Sequence, residues 1–186
     1  MDSAASETSS AAASSDAAVP PSEDAPSPPD PVSQPWTYQN ILALAPMVRV
    51  NTLPFRLLAR EYGADIVYSE ELVDRSVMAC RRSENATLGT VEFRHAGGKL
   101  IFSTVPHERV AFQLGTASAG DALRAAQVVV GDVRAIDINM GCPIKFSVQG
   151  GMGSALLSQP EVVRDILRYA AHWTGAADAA ASSRVA

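Results

Sequence analysis

The chain has 186 residues, of which 47% are hydrophobic, and its 20 acidic and 15 basic side chains give a net charge of −5. This composition suits one globular domain, and it lacks the overall positive charge that marks many nucleic-acid-binding proteins, although a local basic face is compatible with it. Two cysteines, Cys80 and Cys142, lie outside any CxxC pair. They exclude a disulfide framework and predict a reducing compartment without structural zinc.

Residues 1–35 are built almost wholly from Ser, Ala, Pro, Asp and Glu, with six acidic side chains and no basic one. We expect this tail to be disordered, because it has too little apolar surface to offset the entropy of ordering. No run reaches the roughly 20 apolar residues of a membrane span, and the acidic start resembles neither a secretory signal nor a mitochondrial presequence. We therefore expect a cytoplasmic protein, with the nucleus as the alternative.

The first predicted elements form a βαβ unit. A continuous apolar run at residues 41–45 predicts a strand buried on both faces. Residues 53–62 follow as a helix, with Thr52 at the N-cap and Gly63 just beyond the end. Residues 64–69 predict a second strand after almost no loop.

The alternation of strands and helices continues along the chain. Apolar residues alternate on both sides of residues 96–99, which predicts a hairpin inserted before the third core strand. Ser158 and Glu161 have the spacing of a capping box and predict the start of the last helix. The other predicted elements are a strand at 110–114, a helix at 119–130, a strand at 135–139 and a last helix ending near 173–175.

Four strand and helix units in succession predict an α/β fold with a parallel sheet, either doubly wound or the first four units of a TIM (β/α)8 barrel. Periodicity alone does not choose between them. A whole barrel needs about 250 residues, so a barrel here would be a truncated half. The predicted organisation is a disordered tail at 1–35, a partial barrel at 36–175 and a low-complexity tail at 176–186.

Several polar or reactive residues fall where predicted strands end. The carboxyl ends of parallel strands carry the ligand-binding and catalytic groups of α/β proteins. Gln113 offers a donor and an acceptor together, which suits the imide edge of a flavin or a nucleobase, or else the capping of a loop. The positions at this edge are Pro46 and Met47, then Gln113, then Asn139, Cys142 and Lys145.

Cys142 lies in a turn between Gly141 and Pro143. One interpretation is a small buried hydrophobic residue. The other is a proton donor, because an unactivated thiol with a pKa of about 8.5 keeps its proton at neutral pH. A nucleophilic role would need a histidine base, and none of the three histidines has a recognisable spacing to it.

The glycine-rich segment 150–153 has two interpretations. It is either a phosphate cradle before the last helix or a loop that needs positive φ angles. Glu70 and Glu71 follow the second strand, and we expect them to be a solvated loop entry rather than paired carboxylates.

Three segments together resemble the flavin-dependent tRNA-dihydrouridine synthases, most closely the eukaryotic type that acts on uridine 20 of the D-loop. The resemblance covers roughly residues 41–175, and its most specific part is the GCP turn followed by the GGMG loop. The segments are APMVRVNTLPFRLLAREYGADIVYSEELVD, VAFQLGT and INMGCPIKFSVQGGMGSALL.

The resemblance implies a TIM barrel that binds FMN across its mouth and takes tRNA as substrate. It implies that NAD(P)H reduces FMN, that the flavin passes a hydride to uridine C6, and that a cysteine protonates C5. By the same resemblance Cys142 is the catalytic acid, Pro46, Met47 and Val48 lie under the flavin, Gln113 reads the isoalloxazine edge, and Asn139 lies near flavin and substrate.

The sequence departs from this family in two ways. Ile144 stands where relatives have a lysine, and Lys145 follows it. The family's fifth-strand lysine, sixth-strand histidine and phosphate-gripping motifs have no counterpart in these 186 residues. We expect that losing two or more charge-assisted bonds at roughly 1.5 to 3 kcal/mol each would weaken FMN binding, and that unpaired barrel edges would favour self-association.

Two other functions stay open. One is a non-catalytic half-barrel that associates with itself or with a partner. The other is a flavin protein with a different substrate, against which the GCP cysteine argues. No metal site and no membrane association are expected.

Overall fold

The structure, a computed structural model, describes residues 38–173. The predicted tails at 1–35 and 176–186 lie outside the described residues. In chain order the elements are β1 (Ala43–Leu44), α1 (Leu53–Glu61), β2 (Ile66–Tyr68), β3 (Leu72–Val73), α2 (Asp74–Met78), β4 (Cys80–Asn85), β5 (Thr90–His95), β6 (Leu100–Thr104), β7 (Val110–Gly115), α3 (Ala119–Val129), β8 (Ala135–Ile138), α4 (Lys145–Gln149), a 3₁₀ helix (Gly153–Ser158) and α5 (Pro160–Trp173).

Four strands form a parallel sheet in the order β1-β2-β7-β8. β3 pairs with the carboxyl half of β7, so β2 and β3 together cover one edge of that strand. The predicted α/β fold with a parallel sheet is therefore confirmed. A doubly wound sheet reverses its strand order at a switch point, whereas the described strands follow chain order without reversal. Within the described residues β1 and β8 each pair along one edge only.

A three-stranded antiparallel sheet, β4-β5-β6, is inserted between α2 and β7. The predicted hairpin around residues 96–99 is confirmed as β5 and β6. Strand β4 has no counterpart in the prediction, because its sequence, CRRSEN, is polar and largely exposed and shows no apolar alternation. The inner face of this sheet reaches the core through Phe102, whose ring lies 5.7 Å from that of Phe93 and 5.0 Å from that of Phe112.

The first and third helices match the sequence pattern, and the last one differs at its start. Gly63 has the positive φ of 94° expected after α1, although Thr52 makes no side-chain cap there. Ser118 caps α3 by accepting a hydrogen bond from the Asp121 backbone N–H at 3.3 Å. The capping box at Ser158 is wrong, since α5 begins at Pro160 and the Ser158 hydroxyl donates to Ala155 O in the 3₁₀ helix.

The two faces of the parallel sheet differ in chemistry, because successive strand residues point to opposite faces. One face packs on the helices and on the antiparallel sheet, and it contributes Phe112, Leu114 and Ile138 to the hydrophobic core. The alternate residues Gln113 and Asp137 lie on the other face, directly opposite each other in the β7–β8 register. The second face is therefore polar at the carboxyl ends of β7 and β8.

Candidate active site

A cavity of about 580 Å³ lies at the carboxyl ends of the parallel strands. Of the six residues to which the family resemblance gives a role in catalysis or binding, five line it: Pro46, Val48, Gln113, Asn139 and Cys142. Lys145, which the sequence also places at this edge, begins α4 and does not line the cavity. The remaining lining residues are Glu71, Asp137, Ile138, Met140, Gly141 and Ile144. Residues from β1, β2, β7 and β8 or the loops that follow them thus converge on one space.

Met47 is the sixth predicted residue, and it does not line the cavity. Its carbonyl accepts hydrogen bonds from the backbone N–H groups of Val50 and Asn51, both at 3.1 Å, and so closes the turn after β1. The buried Asn51 side chain donates to Ala45 O at 2.7 Å and Tyr68 O at 2.8 Å, which ties the ends of β1 and β2 together. The Met47 backbone thus shapes the loop from which Pro46 and Val48 reach the cavity.

The Gln113 side chain has a fixed orientation. Its Nε2 donates to Asp137 Oδ2 at 2.8 Å, and its Oε1 accepts from Asn139 Nδ2 at 3.4 Å. Its backbone N–H donates to Ser69 Oγ at 2.9 Å, so the strand itself is anchored at this point. An amide has two hydrogens and two lone pairs, which leaves one donor and one acceptor of Gln113 for a ligand.

Asn139 also shapes the loop that carries Cys142. Its Oδ1 accepts hydrogen bonds from the backbone N–H groups of Gly141 and Cys142, both at 3.0 Å. The Cys142 carbonyl in turn accepts from the Ser154 backbone N–H at 3.0 Å. These contacts hold a half-buried thiol at the rim of the cavity. Among the described residues no histidine lines the cavity.

The glycine-rich segment supports the Cys142 loop from beneath. Gly151 and Gly153 have φ angles of 75° and 59°, so the positive-φ interpretation is confirmed at both. A Cβ added at Gly153 would lie 2.5 Å from the Cys142 carbonyl oxygen and 2.7 Å from Ser147 Oγ. The backbones approach too closely there for any side chain.

We expect Gly153→Ala to destabilise the chain by about 1–2 kcal/mol from the left-handed backbone alone, with more from the clash with Cys142. Urea denaturation measures the loss. Gly131→Ala is the matched control, because an added Cβ there meets nothing within 4 Å and φ is not positive. Equal stability of the two variants would contradict this account of the loop.

Burial raises the pKa of Asp137 above its ordinary value, and the hydrogen bond from Gln113 partly opposes that rise. The native state therefore holds this proton more tightly than the unfolded chain does. The contribution of the carboxyl group to stability is full below its ordinary pKa and is lost as the pH rises through the raised value.

Asp137→Asn is accordingly expected to raise the free energy of unfolding at neutral pH, since asparagine carries no charge to bury and its Oδ1 still accepts from Gln113. Urea denaturation between about pH 3 and about pH 8 measures this effect. The stability difference from the parent should grow as the pH rises. A difference that is constant, or that grows toward acid, would show that the Asp137 pKa is not raised.

The two acidic lining residues, Asp137 and Glu71, have no role in the sequence-based prediction. Asp137 is detectable as the polar residue inside the apolar strand AIDI. The expectation of a solvated entry at residues 70–71 is wrong, because both side chains are half-buried. Glu70 accepts a hydrogen bond from the Arg49 backbone N–H at 2.7 Å, and Glu71 packs against Gly115 beside the cavity.

A second cavity, of about 740 Å³, lies at the amino ends of β7 and β8. It contains Arg82, which bridges to Asp132 through two 2.8 Å hydrogen bonds, and none of the predicted site residues. In the described part of the chain there is no cluster of metal-ligating side chains, and no helix there is long and apolar enough to cross a membrane.

Comparison of the sequence with known proteins identifies relatives of this chain. The family model of dihydrouridine synthases matches residues 43–174. The chain is 44% identical over 141 residues to the tRNA-dihydrouridine(20) synthase [NAD(P)+] of Saccharomyces cerevisiae, covering 71% of this chain and 37% of that protein. It is 42% identical over 136 residues to the enzyme of the same name from Schizosaccharomyces pombe, covering 70% and 28%.

A bacterial relative, tRNA-dihydrouridine synthase B of Pseudomonas syringae, is 39% identical over 135 residues, covering 72% of this chain and 36% of that protein. The chain thus spans about a third of the length of these curated relatives. The family match includes every residue that lines the cavity described above. With its parallel sheet, its GCP turn and its glycine-rich loop, the chain belongs to the dihydrouridine synthase family.

Proposed function

We propose that the chain carries the catalytic site of a tRNA-dihydrouridine synthase, which reduces uridine to 5,6-dihydrouridine with FMN and NAD(P)H. The observation that carries this proposal is the convergence of Gln113, Asn139 and Cys142 on one cavity at the strand ends. An oriented amide beside an anchored thiol fits a flat redox cofactor and a proton donor to its substrate. The names of the two yeast relatives give the same reaction and the same nicotinamide reductant.

The cavity has the dimensions and chemistry of a cofactor site. Its volume of about 580 Å³ falls within the roughly 300–1,000 Å³ that such sites occupy. Pro46, Val48 and Ile138 supply apolar contacts, while Gln113 supplies the remaining donor and acceptor for the edge of an isoalloxazine ring. Bound FMN, once reduced by NAD(P)H, would supply the hydride.

The role of Cys142 in this proposal is that of a general acid. Saturating the C5–C6 bond of uracil takes a hydride at C6 and a proton at C5, so a proton donor must stand beside the substrate. The thiol supplies that proton and regains one from solvent. Asn139 keeps the thiol at the rim by accepting two backbone hydrogen bonds from the loop.

We further propose that the substrate is uridine 20 and that the strands belong to a TIM barrel. Relatives named for position 20 are 44% and 42% identical, whereas those named for positions 20a and 20b are 37%, 34% and 27% identical. The barrel proposal is supported by the sequential parallel order of the described strands.

The test is to incubate the chain with FMN, NADPH and an unmodified tRNA transcript, and to measure dihydrouridine by mass spectrometry of the nucleosides. We expect a gain of two hydrogens at uridine 20 and none in a transcript with cytidine there. Dihydrouridine at another position would overturn the proposed site specificity. None at any position would overturn the proposed activity of this chain.

The edges of the sheet lead to a separate proposal, that copies of the chain associate. In the described part, β1 and β8 each leave one edge unpaired, and an exposed edge is a template for strand pairing. We expect light scattering to give a mass that rises with protein concentration. A monomer mass at every concentration would contradict association through these edges.

A further inference from the structure

A continuous chain of hydrogen bonds crosses the mouth of the sheet from β8 to the Cys142 loop. Asp137 Oδ2 accepts from Gln113 Nε2 at 2.8 Å, and Gln113 Oε1 accepts from Asn139 Nδ2 at 3.4 Å. Asn139 Oδ1 then accepts from the backbone N–H groups of Gly141 and Cys142, both at 3.0 Å. Three side chains from two neighbouring strands therefore connect a carboxyl group to the loop that carries the thiol.

The two ends of this chain set its direction. A carboxylate only accepts hydrogen bonds and a backbone N–H only donates them, so neither amide between them can be reversed without breaking two bonds. Asp137 requires the NH₂ group of Gln113, which turns the carbonyl of Gln113 toward Asn139. Asn139 must then donate to Gln113 and accept from the loop. Each amide is fixed from both sides.

Placing a carboxyl group inside the strand AIDI has a cost, because burying a charged group disfavours folding unless it is hydrogen-bonded. The bond from Gln113 offsets part of that cost, as the direction of its influence on the Asp137 pKa indicates. An apolar residue at this position would avoid the cost altogether. The hydrogen-bond acceptor at this position therefore has a role other than packing.

We propose that Asp137 is a positioning residue for Cys142, which it orients through Gln113 and Asn139. The inference deepens the proposed function and rests on it, since Cys142 is the acid of that reaction. Asp137 itself does not bond to the Cys142 loop. Its contribution is to hold the Gln113 amide in the one orientation that lets Asn139 accept from the loop.

The test uses the protein alone, without FMN, NADPH or tRNA, and measures the alkylation of its two cysteine thiols by iodoacetamide. Mass spectrometry of the peptides gives the ratio of Cys142 to Cys80 modification. Cys80 lies at the start of β4 and donates to Ser76 O, outside the chain of hydrogen bonds, so it is an internal reference. A loosened Cys142 loop exposes its thiol and raises the ratio.

We expect Asp137→Ala to raise the ratio by about threefold to tenfold, the effect of losing one net hydrogen bond. Asn139→Ala should raise it at least as much, and the double variant no more than Asn139→Ala alone, because both act through one chain. Asp137→Asn should stay near the parent, since its Oδ1 can accept from Gln113 Nε2. Asp165→Asn, on the exposed face of α5, is the matched control and should leave the ratio unchanged.

An unchanged ratio in Asp137→Ala beside a raised one in Asn139→Ala would overturn the proposal. Independent, multiplying effects in the double variant would overturn it as well. If Asp137→Ala fails to fold, Gln113→Met replaces it in the test, because methionine is of similar size and interrupts the same series of hydrogen bonds. An unchanged alkylation ratio in Gln113→Met would then overturn the proposal. If Asp137→Ala and Asn139→Ala raise the ratio without adding to each other, but the protein makes no dihydrouridine, the positioning role of Asp137 would stand and the proposed function would be overturned.

Discussion

Replacing Cys142 with alanine is expected to lower the rate of uridine reduction by about 10²- to 10⁴-fold, the usual contribution of a positioned general acid. The loss should fall on the chemical step, because hydride transfer to uracil stalls without a proton for C5. FMN affinity should stay close to that of the parent, since Gln113, Pro46 and Val48 are unchanged. Single-turnover formation of dihydrouridine in the tRNA transcript, beside an FMN titration of each variant, measures both quantities.

Two further variants make this result specific to the acid. Serine at position 142 keeps a hydroxyl group in nearly the same place, but a hydroxyl is a far weaker acid than a thiol, so Cys142→Ser should be as slow as Cys142→Ala. Cys80→Ala removes the other thiol, which lies in the antiparallel sheet, and should keep the parent rate. Parent activity in Cys142→Ala would remove the acid role from this residue.

A large effect on stability is expected from a buried ion pair whose residues do not line the cavity. Arg56 and Glu108 form two hydrogen bonds, at 2.7 and 3.1 Å, with side chains only 2% and 1% exposed. Arg56 also donates to Asn51 O at 2.8 Å and Ser103 O at 2.7 Å, and it lies over the ring of Phe102. This one side chain therefore connects α1, the turn after β1 and the antiparallel sheet.

Arg56→Met is expected to lower the free energy of unfolding by about 3–5 kcal/mol, because it leaves the Glu108 carboxylate buried without its partner. Urea denaturation measures the loss. Arg56→Met with Glu108→Gln should lose less than the sum of the single variants, since no unpaired charge remains. Arg164→Met removes an exposed pair on α5 and should change stability by less than about 0.5 kcal/mol. Similar losses in Arg56→Met and Arg164→Met would contradict the account.

Local patterns in the sequence predict most of the fold, because the periodicity of apolar residues is set within each element. Helix α1 and helix α3 lie within one residue of their predicted spans. Strands β1, β2 and β8 fall within theirs, and β7 extends one residue beyond its predicted end, to Gly115. Features that depend on distant partners are not predictable in this way. Strand β4 is polar and becomes a strand only by pairing with β5, and Arg56 becomes buried only because Glu108 meets it across the fold.

The same distinction between local pattern and distant contact applies to the candidate site. The rule that parallel strands carry functional groups at their carboxyl ends predicts the shared location of Pro46, Gln113 and Cys142. The bond from Gln113 to Asp137 requires the β7–β8 register, which the sequence does not contain. The need for glycine at position 153 is likewise not visible in the sequence. It becomes clear only from the structure, where the Cys142 carbonyl leaves no room for a Cβ.

A fluorescence titration of FMN with the parent chain and with Gln113→Leu, in parallel, tests the central claim that this cavity is a flavin site. We predict saturable binding by the parent and an affinity about tenfold lower in the leucine variant. Leucine cannot form hydrogen bonds, so the donors and acceptors at the edge of the isoalloxazine ring would lose the Gln113 amide as their partner. Absence of saturable binding by the folded parent, or equal affinity in both proteins, would contradict the account.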